Sequence, residues 1–278
     1  MSLPPRKPET ETGFTGCRNM PGSQRTSMQE MNCGFSLVEM AIVLFIAALL
    51  LGGLLPTVSG QIDQQRTSDT RKQLDEIQQA LIGYAILNGR LPCPASDISN
   101  GIEGFDITAV PPGDAGNGKC SNFYNGFVPA ATLGFTTGVD NQGRKGFAVD
   151  PWGNRIRYAV TKAHSNAFTI TGGMRTIGIS NLQANLLVCS TASGINNTSC
   201  NGNSLTSSPG VPVVLFSTGK NGATGSGGTD EAANIDGGIS QTFVSHTPAP
   251  APNEFDDIVI WISPNILINR MVAAGQLP

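Results

Sequence analysis

Gly34-Phe35-Ser36-Leu37-Val38-Glu39-Met40-Ala41-Ile42-Val43-Leu44-Phe45-Ile46-Ala47-Ala48-Leu49-Leu50-Leu51-Gly52-Gly53-Leu54-Leu55-Pro56 is the stretch on which the reading of this chain turns. Apart from Ser36 and Glu39 it is apolar or glycine over the 21 residues from Phe35 to Leu55. About 20 such residues in a helix cover the hydrocarbon core of a bilayer. The preceding 34 residues carry Arg6, Lys7, Arg18 and Arg25 against Glu9, Glu11 and Glu30, a net charge of +1. Basic residues on that flank favour leaving it in the cytoplasm and translocating everything after Pro56. A secretory signal cut at Val58-Ser59-Gly60 is the plain alternative. The long leader and the carboxylate inside the apolar run count against it.

Glu39 needs a physical reason. A carboxylate at membrane depth costs several kcal/mol unless it is paired or protonated. Glu39 follows Phe35 by four residues, and Gly34 precedes Phe35. A cut between Gly34 and Phe35 would create an ammonium group about one helical turn from Glu39. Between neighbouring helices such a pair would set axial register, because a misaligned charge in lipid is penalised heavily.

These residues carry a resemblance. Gly34-Phe35-Ser36-Leu37-Val38-Glu39-Met40 resembles the processing and methylation motif of type IV pilin and pseudopilin precursors. The resemblance implies cleavage after Gly34 by a prepilin peptidase that is also the N-methyltransferase of Phe35. It implies Glu39 as the assembly carboxylate, and as partners other pilin or pseudopilin subunits and an inner-membrane assembly platform. Pro56 falls where many type IV pilins carry a helix-kinking proline, and Gly52 and Gly53 just upstream ease bending. The leader is longer than the family's, and Met1, Met20, Met28 and Met31 are alternative starts.

After Pro56 the chain stays compatible with helix to about Asn88. Leu74, Ile77, Leu81 and Tyr84 recur at three- and four-residue steps, opposite a polar side with Asp69, Arg71, Lys72, Asp75, Glu76 and Gln79. Asn88-Gly89 followed by Pro92 predicts the helix stop. Beyond it, β-type runs at 155–162, 167–171, 184–190, 211–218 and 256–263 alternate with Gly, Asn and Pro clusters, and 265–275 predicts a short closing helix. The glycine-rich stretch 219–238 and the TPAPAP run 247–252 read as loop and extended surface segment. The fold class is therefore α+β: a long N-terminal helix, half membrane-spanning and half amphipathic, packed against an antiparallel β-sheet head with long loops. The divisions are a removable leader 1–34, a spanning and assembly helix 35–56, an amphipathic helix 57–90 and a β-rich head 91–278.

Three head motifs extend the resemblance. Asn88-Gly89-Arg90-Leu91-Pro92, Asp150-Pro151-Trp152-Gly153-Asn154 and Leu215-Phe216-Ser217-Thr218-Gly219 are similar, in the same order, to those of type II secretion major pseudopilins. In that family the glycine-rich loop after the last motif binds calcium. The resemblance would make Asn221, Asp230 and Asp236 the Ca²⁺ ligands here, with Asn221 standing where the family has Asp. Hard oxygen donors suit Ca²⁺, but it takes six to eight of them, and Lys220 adds positive charge. An ordinary solvated loop is the favoured reading.

Composition excludes several classes. The 278 residues carry 17 Lys and Arg against 20 Asp and Glu, so no general basic balance points to nucleic acid. Charged residues are 13% of the chain, beside 34 Gly and 18 Pro, a balance suited to a loop-rich extracytoplasmic body. Of six cysteines, Cys17 and Cys33 would leave with the leader. Cys93, Cys120, Cys189 and Cys200 form an even set that favours two disulfides in an oxidising compartment, and the sequence-local pairs Cys93–Cys120 and Cys189–Cys200 are preferred among three pairings. No CxxC, P-loop, GxSxG or HExxH occurs, which argues against an enzyme. Asp256 and Asp257, being adjacent, would point to opposite strand faces, a poor acid–base pair. Arg155 and Arg157 share one strand face, suited to an anion but more usual as a solvated edge.

The reading that joins these features is a structural subunit of a type IV pilus-like or type II secretion pseudopilus filament. It would wait in a bacterial inner membrane as a single-pass protein with its head in the periplasm, then enter a periplasmic or surface filament. The rivals are a tip adhesin on the same anchor, using loops 97–106 or 190–203, and a plain secreted protein cut near Gly60. Phe123, Tyr124 and Phe127 are the aromatic residues an adhesive surface would use, though the core is their commoner place.

Overall fold

The computed structural model describes residues 36–222, 227–236 and 240–278, and of residues 51–59 the backbone alone. Gly34, Phe35 and the leader lie outside the described residues. The chain divides into two compact units, Met1–Leu54 and Leu55–Pro278.

Helix α1 is assigned over Leu37–Asn88 and so takes its first part from one unit and the rest from the other. In the first unit the side chains of residues 37–50 are almost all exposed, including Leu37, Leu44, Phe45, Leu49 and Leu50. Among the described residues no helix is long and apolar enough to cross a membrane. Pro56 lies inside α1, where it removes one i→i−4 donor.

In the second unit the elements after α1 run β1 (Gly126–Phe127), α2 (Ala130–Leu133), β2 (Gly138–Val139), β3 (Lys145–Phe147), β4 (Arg157–Val160), α3 (Ala163–Asn166) and α4 (Gly173–Ile177). They continue with β5 (Leu187–Cys189), β6 (Val213–Ser217), α5 (Thr229–Asn234), β7 (Thr242–Val244), β8 (Ile258–Ile262) and α6 (Pro264–Ala273). The main sheet is antiparallel in the order β1-β4-β6-β8, with Tyr158 opposite Leu215 and Leu215 opposite Ile260.

The second half of α1 packs on this sheet, so the architecture is α+β. Its stripe behaves as the helical period requires: Leu74, Ile77, Leu81 and Ala85 are buried with Tyr158, Val160, Val213, Leu215 and Ile262. Gly89 (φ +64°) ends the helix in the left-handed region, donating its N–H to Ala85 O. The other face of the sheet, with Ala159, Val214 and Phe216, is covered by Leu186, Val188 and Phe243. Two disulfides staple the loops, Cys93–Cys120 and Cys189–Cys200, the sequence-local pairs.

The structure corrects three sequence-based expectations. Residues 167–171 are not a strand: Ala167 and Thr169 donate to Ala163 O and Asn166 O, and positive φ at His164, Ser165 and Asn166 coils the chain there. The head is not wholly antiparallel, because β5 and β7 pair in parallel, Val188 opposite Phe243. The glycine-rich stretch also holds a helix, α5. Its Asn234 brackets the Val244 backbone, accepting from the N–H (2.7 Å) and donating to the C=O (3.0 Å), which ties α5 to β7.

Candidate functional site

At the start of α1, the Ser36 hydroxyl accepts from Val38 N–H (3.2 Å) and the Glu39 carboxylate accepts from Ser36 N–H (3.0 Å). This is a capping box: a Ser and a Glu three residues on satisfy donors that a helix N-terminus leaves unpaired. Glu39 is exposed in this arrangement. The same carboxylate that the sequence singles out for assembly thus starts the helix in the precursor.

In the head, two of the three sequence motifs are stitched together. The Asp150 Oδ1 accepts from Trp152 N–H and Asn154 N–H, both at 2.9 Å, closing the turn that Gly153 (φ +87°) completes. Ser217 donates to Asp150 Oδ2 (2.6 Å), and the Asn154 amide donates to Gly219 O (2.6 Å). Burial raises the Asp150 pKa, opposed by these bonds. The third motif supplies Arg90, which makes a bidentate pair with Glu103 at 2.7 Å for each bond, only 6% and 12% of the side chains being exposed. Glu103 also accepts from Cys93 N–H and the Tyr84 hydroxyl. Burial and the Glu103 charge push the Tyr84 hydroxyl up to about 12.

The residues that the resemblance suggests for calcium are Asp230 within α5, Asp236 just after it, and Asn221, which reaches α5 through Glu231. Asp230 is buried, accepting from Thr191 and Ala192 and lying 3.1 Å from His246 Nε2. His246 in turn stacks on Phe255 at 3.9 Å. Asp236 is exposed after α5. Asn221 donates to Glu231 Oε2 (2.9 Å), and Glu231 groups with Asp256 and Asp257, one oxygen of each lying within 4.8 Å of the others.

Asp256 N–H donates to Glu231 Oε1 (2.6 Å) while Asp256 Oδ2 takes the N–H groups of Lys220 and Asn221; Asp257 accepts from Asn234 (2.7 Å). Asp256 Oδ1 is buried without a hydrogen-bond partner among the described residues. Burial is the first cause of a raised pKa at all three acids, and it lifts Asp257 to about 7. Such a group is relieved either by taking up protons or by a hard cation, which the carboxylate oxygens suit. The sequence hides it: Glu231 is 25 residues from Asp256 and comes from a helix inside a glycine-rich run.

The polar loop 97–106 uses its charges internally. Asp97 pairs with Arg144 and Arg155, Glu103 with Arg90, and Asp106 caps Thr108 and Ala109. Phe123 and Phe127 are buried, as a core role requires, and Tyr124 packs partly buried against Phe123.

Comparison with known proteins adds one match: residues 31–55 fit the prokaryotic N-terminal methylation motif. No curated protein and no solved structure matches the chain. The match covers the capping box, Glu39 and the exposed apolar part of α1. The chain therefore carries, at its N-terminal helix, the methylation motif that is the signature of type IV pilin and pseudopilin precursors.

Proposed function

We propose that the protein is a structural subunit of a type IV pilus-like or type II secretion pseudopilus filament, either a pseudopilin or a minor pilin. The observation that carries this reading is the methylation motif on a helix whose apolar side chains, from Leu37 to Leu50, have no cover of their own. Apolar surface of that extent calls for lipid or for other helices. In this reading a prepilin peptidase cuts after Gly34 and methylates Phe35, residues 35–56 hold the precursor in the inner membrane, and the head lies in the periplasm. The spanning role of 35–56 rests on its sequence, 21 apolar or small residues interrupted by Ser36 and Glu39. On extraction into a filament, Glu39 leaves its capping bond and meets the Phe35 amine of a neighbour. Pro56 is the point at which the helix bends or melts. The two disulfides suit an oxidising compartment.

The test is the intact mass and N-terminal sequence of the mature chain, made with and without a prepilin peptidase. A chain beginning at methylated Phe35, and only with the peptidase, is expected. A chain beginning at Gln61 in both cases would replace this reading with that of a secreted protein.

A further inference from the structure

Arg157, the first residue of β4, alternates onto the face of the main sheet turned away from α1, and Arg155, two residues earlier in an isolated bridge with Val149, points the same way; β4 itself is not an edge strand. β4 sits between β1 and β6, with Arg157 opposite Phe216. A solvated edge therefore does not account for them. Beside them is a cavity of about 360 Å³ lined by Phe127, Gln142, Asn154, Arg155, Arg157 and Thr218, among others. Its volume falls within the range typical of small-molecule sites, roughly 300–1,000 Å³.

The ion pairs around this cavity, whose lining includes Asp140, leave one guanidinium without a carboxylate in contact. Arg144 and Arg155 form a closed set with Asp97 and Asp140, each guanidinium reaching both carboxylates. Arg157 is left over: it donates to the Asn125 amide oxygen and makes no ion pair among the described residues. Burial, with the Arg155 charge beside it, holds the Arg157 guanidinium below its usual range, against the opposing attraction of the Asp257 and Asp97 carboxylates, neither of which makes an ion-pair contact with it. Arg155 is only 10% exposed, lies 3.7 Å from the Phe127 ring centroid, and keeps a buried Nη1 that has no hydrogen-bond partner among the described residues. A desolvated cation without a carboxylate in contact is costly, and so is a buried donor without an acceptor. One bound oxyanion would relieve both.

The walls are fixed rather than adaptable. Asn141 bonds Trp152 O and Asn154, and Asn154 bonds Gly219 O, so one side of the cavity is the stitched Asp150-to-Asn154 turn. Thr218 and Gln142 line the cavity with side chains that make no hydrogen bond among the described residues, leaving a hydroxyl and an amide for a ligand's neutral polar groups. A bare inorganic ion would leave most of this volume to water.

We propose that this cavity is an anion-binding site for a molecule of about monosaccharide size carrying one carboxylate, phosphate or sulfate group, with Arg157 as the principal contact. It would give the head of a filament subunit a ligand of its own, independent of how the subunit is anchored. The test is calorimetric titration of the full chain in a neutral detergent with glucuronate, glucose 6-phosphate, inorganic phosphate, inorganic sulfate and glucose. Glucuronate or glucose 6-phosphate is expected to bind at least tenfold more tightly than either inorganic ion, with no binding of glucose.

Arg157→Gln should weaken that binding at least tenfold. Because Arg157 is well packed, Thr218→Asp provides a second variant that changes little volume and sets a negative charge against the ligand; it should weaken binding similarly. Binding of glucose as tight as that of its phosphate, inorganic ions as tight as the sugar anions, unchanged affinity in a folded variant, or no binding of any anion would each overturn the proposal. Tight glucuronate with weak glucose 6-phosphate identifies a carboxylate as the natural group, and the reverse a phosphate; either supports the site.

Discussion

Glu39 is one carboxylate with two uses, and the two can be separated. As a cap it needs only an oxygen that accepts from Ser36 N–H; as a register device in the proposed filament it needs a charge. Glu39→Gln keeps an acceptor and loses the charge, whereas Glu39→Ala loses both. Both variants are expected to be processed, and both to fail to enter filaments, measured as sheared filament mass per cell. Normal assembly by Glu39→Gln would show that charge is not what the site requires. Arg90 and Glu103 pose a second question at this scale. Arg90→Leu leaves Glu103 buried without its cation, which should cost roughly 3–5 kcal/mol in urea unfolding of the oxidised chain. The double variant Arg90→Leu/Glu103→Leu should recover much of that loss, and an equal loss in the double variant would place the energy in packing instead. The spacing of Ser36 and Glu39 carries a local capping-box signal, which the reading of Glu39 as an assembly carboxylate passes over. The Arg90 pair carries none, because its partner lies 13 residues away in a loop without periodicity.

Elements were legible where a period or a β-branched run is long enough to be unambiguous. The stripe Leu74, Ile77, Leu81 marks α1, and the runs 213–217 and 258–262 mark strands of the main sheet, although only the first is central: β8 is an edge strand, half-buried over most of its length. The pairing of β5 with β7 was not, since three-residue strands far apart in sequence leave no local signal. Nor was α5, whose glycine-rich surroundings mask a helix held by Asn234 and by the contacts of its acids. That same concealment hid the Glu231, Asp256 and Asp257 group, and its pH behaviour follows from burial. The Asp257 carboxyl titrates at about 7 in the folded chain and near 4 when unfolded. Between those values the folded state holds a proton that the unfolded state has lost, so stability falls as pH rises through 7 and is fully present below 4. Asp257→Asn keeps the oxygen that accepts from Asn234 and should flatten this slope, making the variant more stable than the parent at pH 8 by roughly 2–4 kcal/mol. Millimolar Ca²⁺ at pH 8 should raise the melting midpoint of the parent, and a chelator should reverse it, because a cation discharges the group as protons do. A parent midpoint that is the same at pH 5 and pH 8 would mean that the three acids are better solvated than their packing implies.

At the scale of the whole molecule, cohesion belongs to the second unit. Among the described residues the buried hydrophobic side chains begin at Leu74, and those from Leu37 to Leu50 are largely exposed. Between Gln61 and Gln73 the helix is held to the head mainly by polar contacts. Gln73 donates to Val149 O, and Asp63 pairs with Lys220 where the side chains are 37% and 63% exposed. An exposed pair of that kind adds little, in the range of about 0–1 kcal/mol. A chain of residues 61–278 should therefore fold in water without detergent, form both disulfides, and melt within about 4 °C of the full chain. What it should lose is association with membranes and entry into filaments. Reducing its disulfides removes constraints on loops of 27 and 11 residues' separation, worth roughly 3 kcal/mol each by loop closure, so the reduced form should melt well below the oxidised one. Aggregation of the oxidised 61–278 chain, or a melting midpoint far below that of the parent, would show that the head draws stability from the N-terminal helix. The division of labour between an anchoring segment and an autonomous head would then fail. If the short chain instead keeps its fold and its affinity for small anions, whatever the head binds is read out on a scaffold that needs neither membrane nor filament to form.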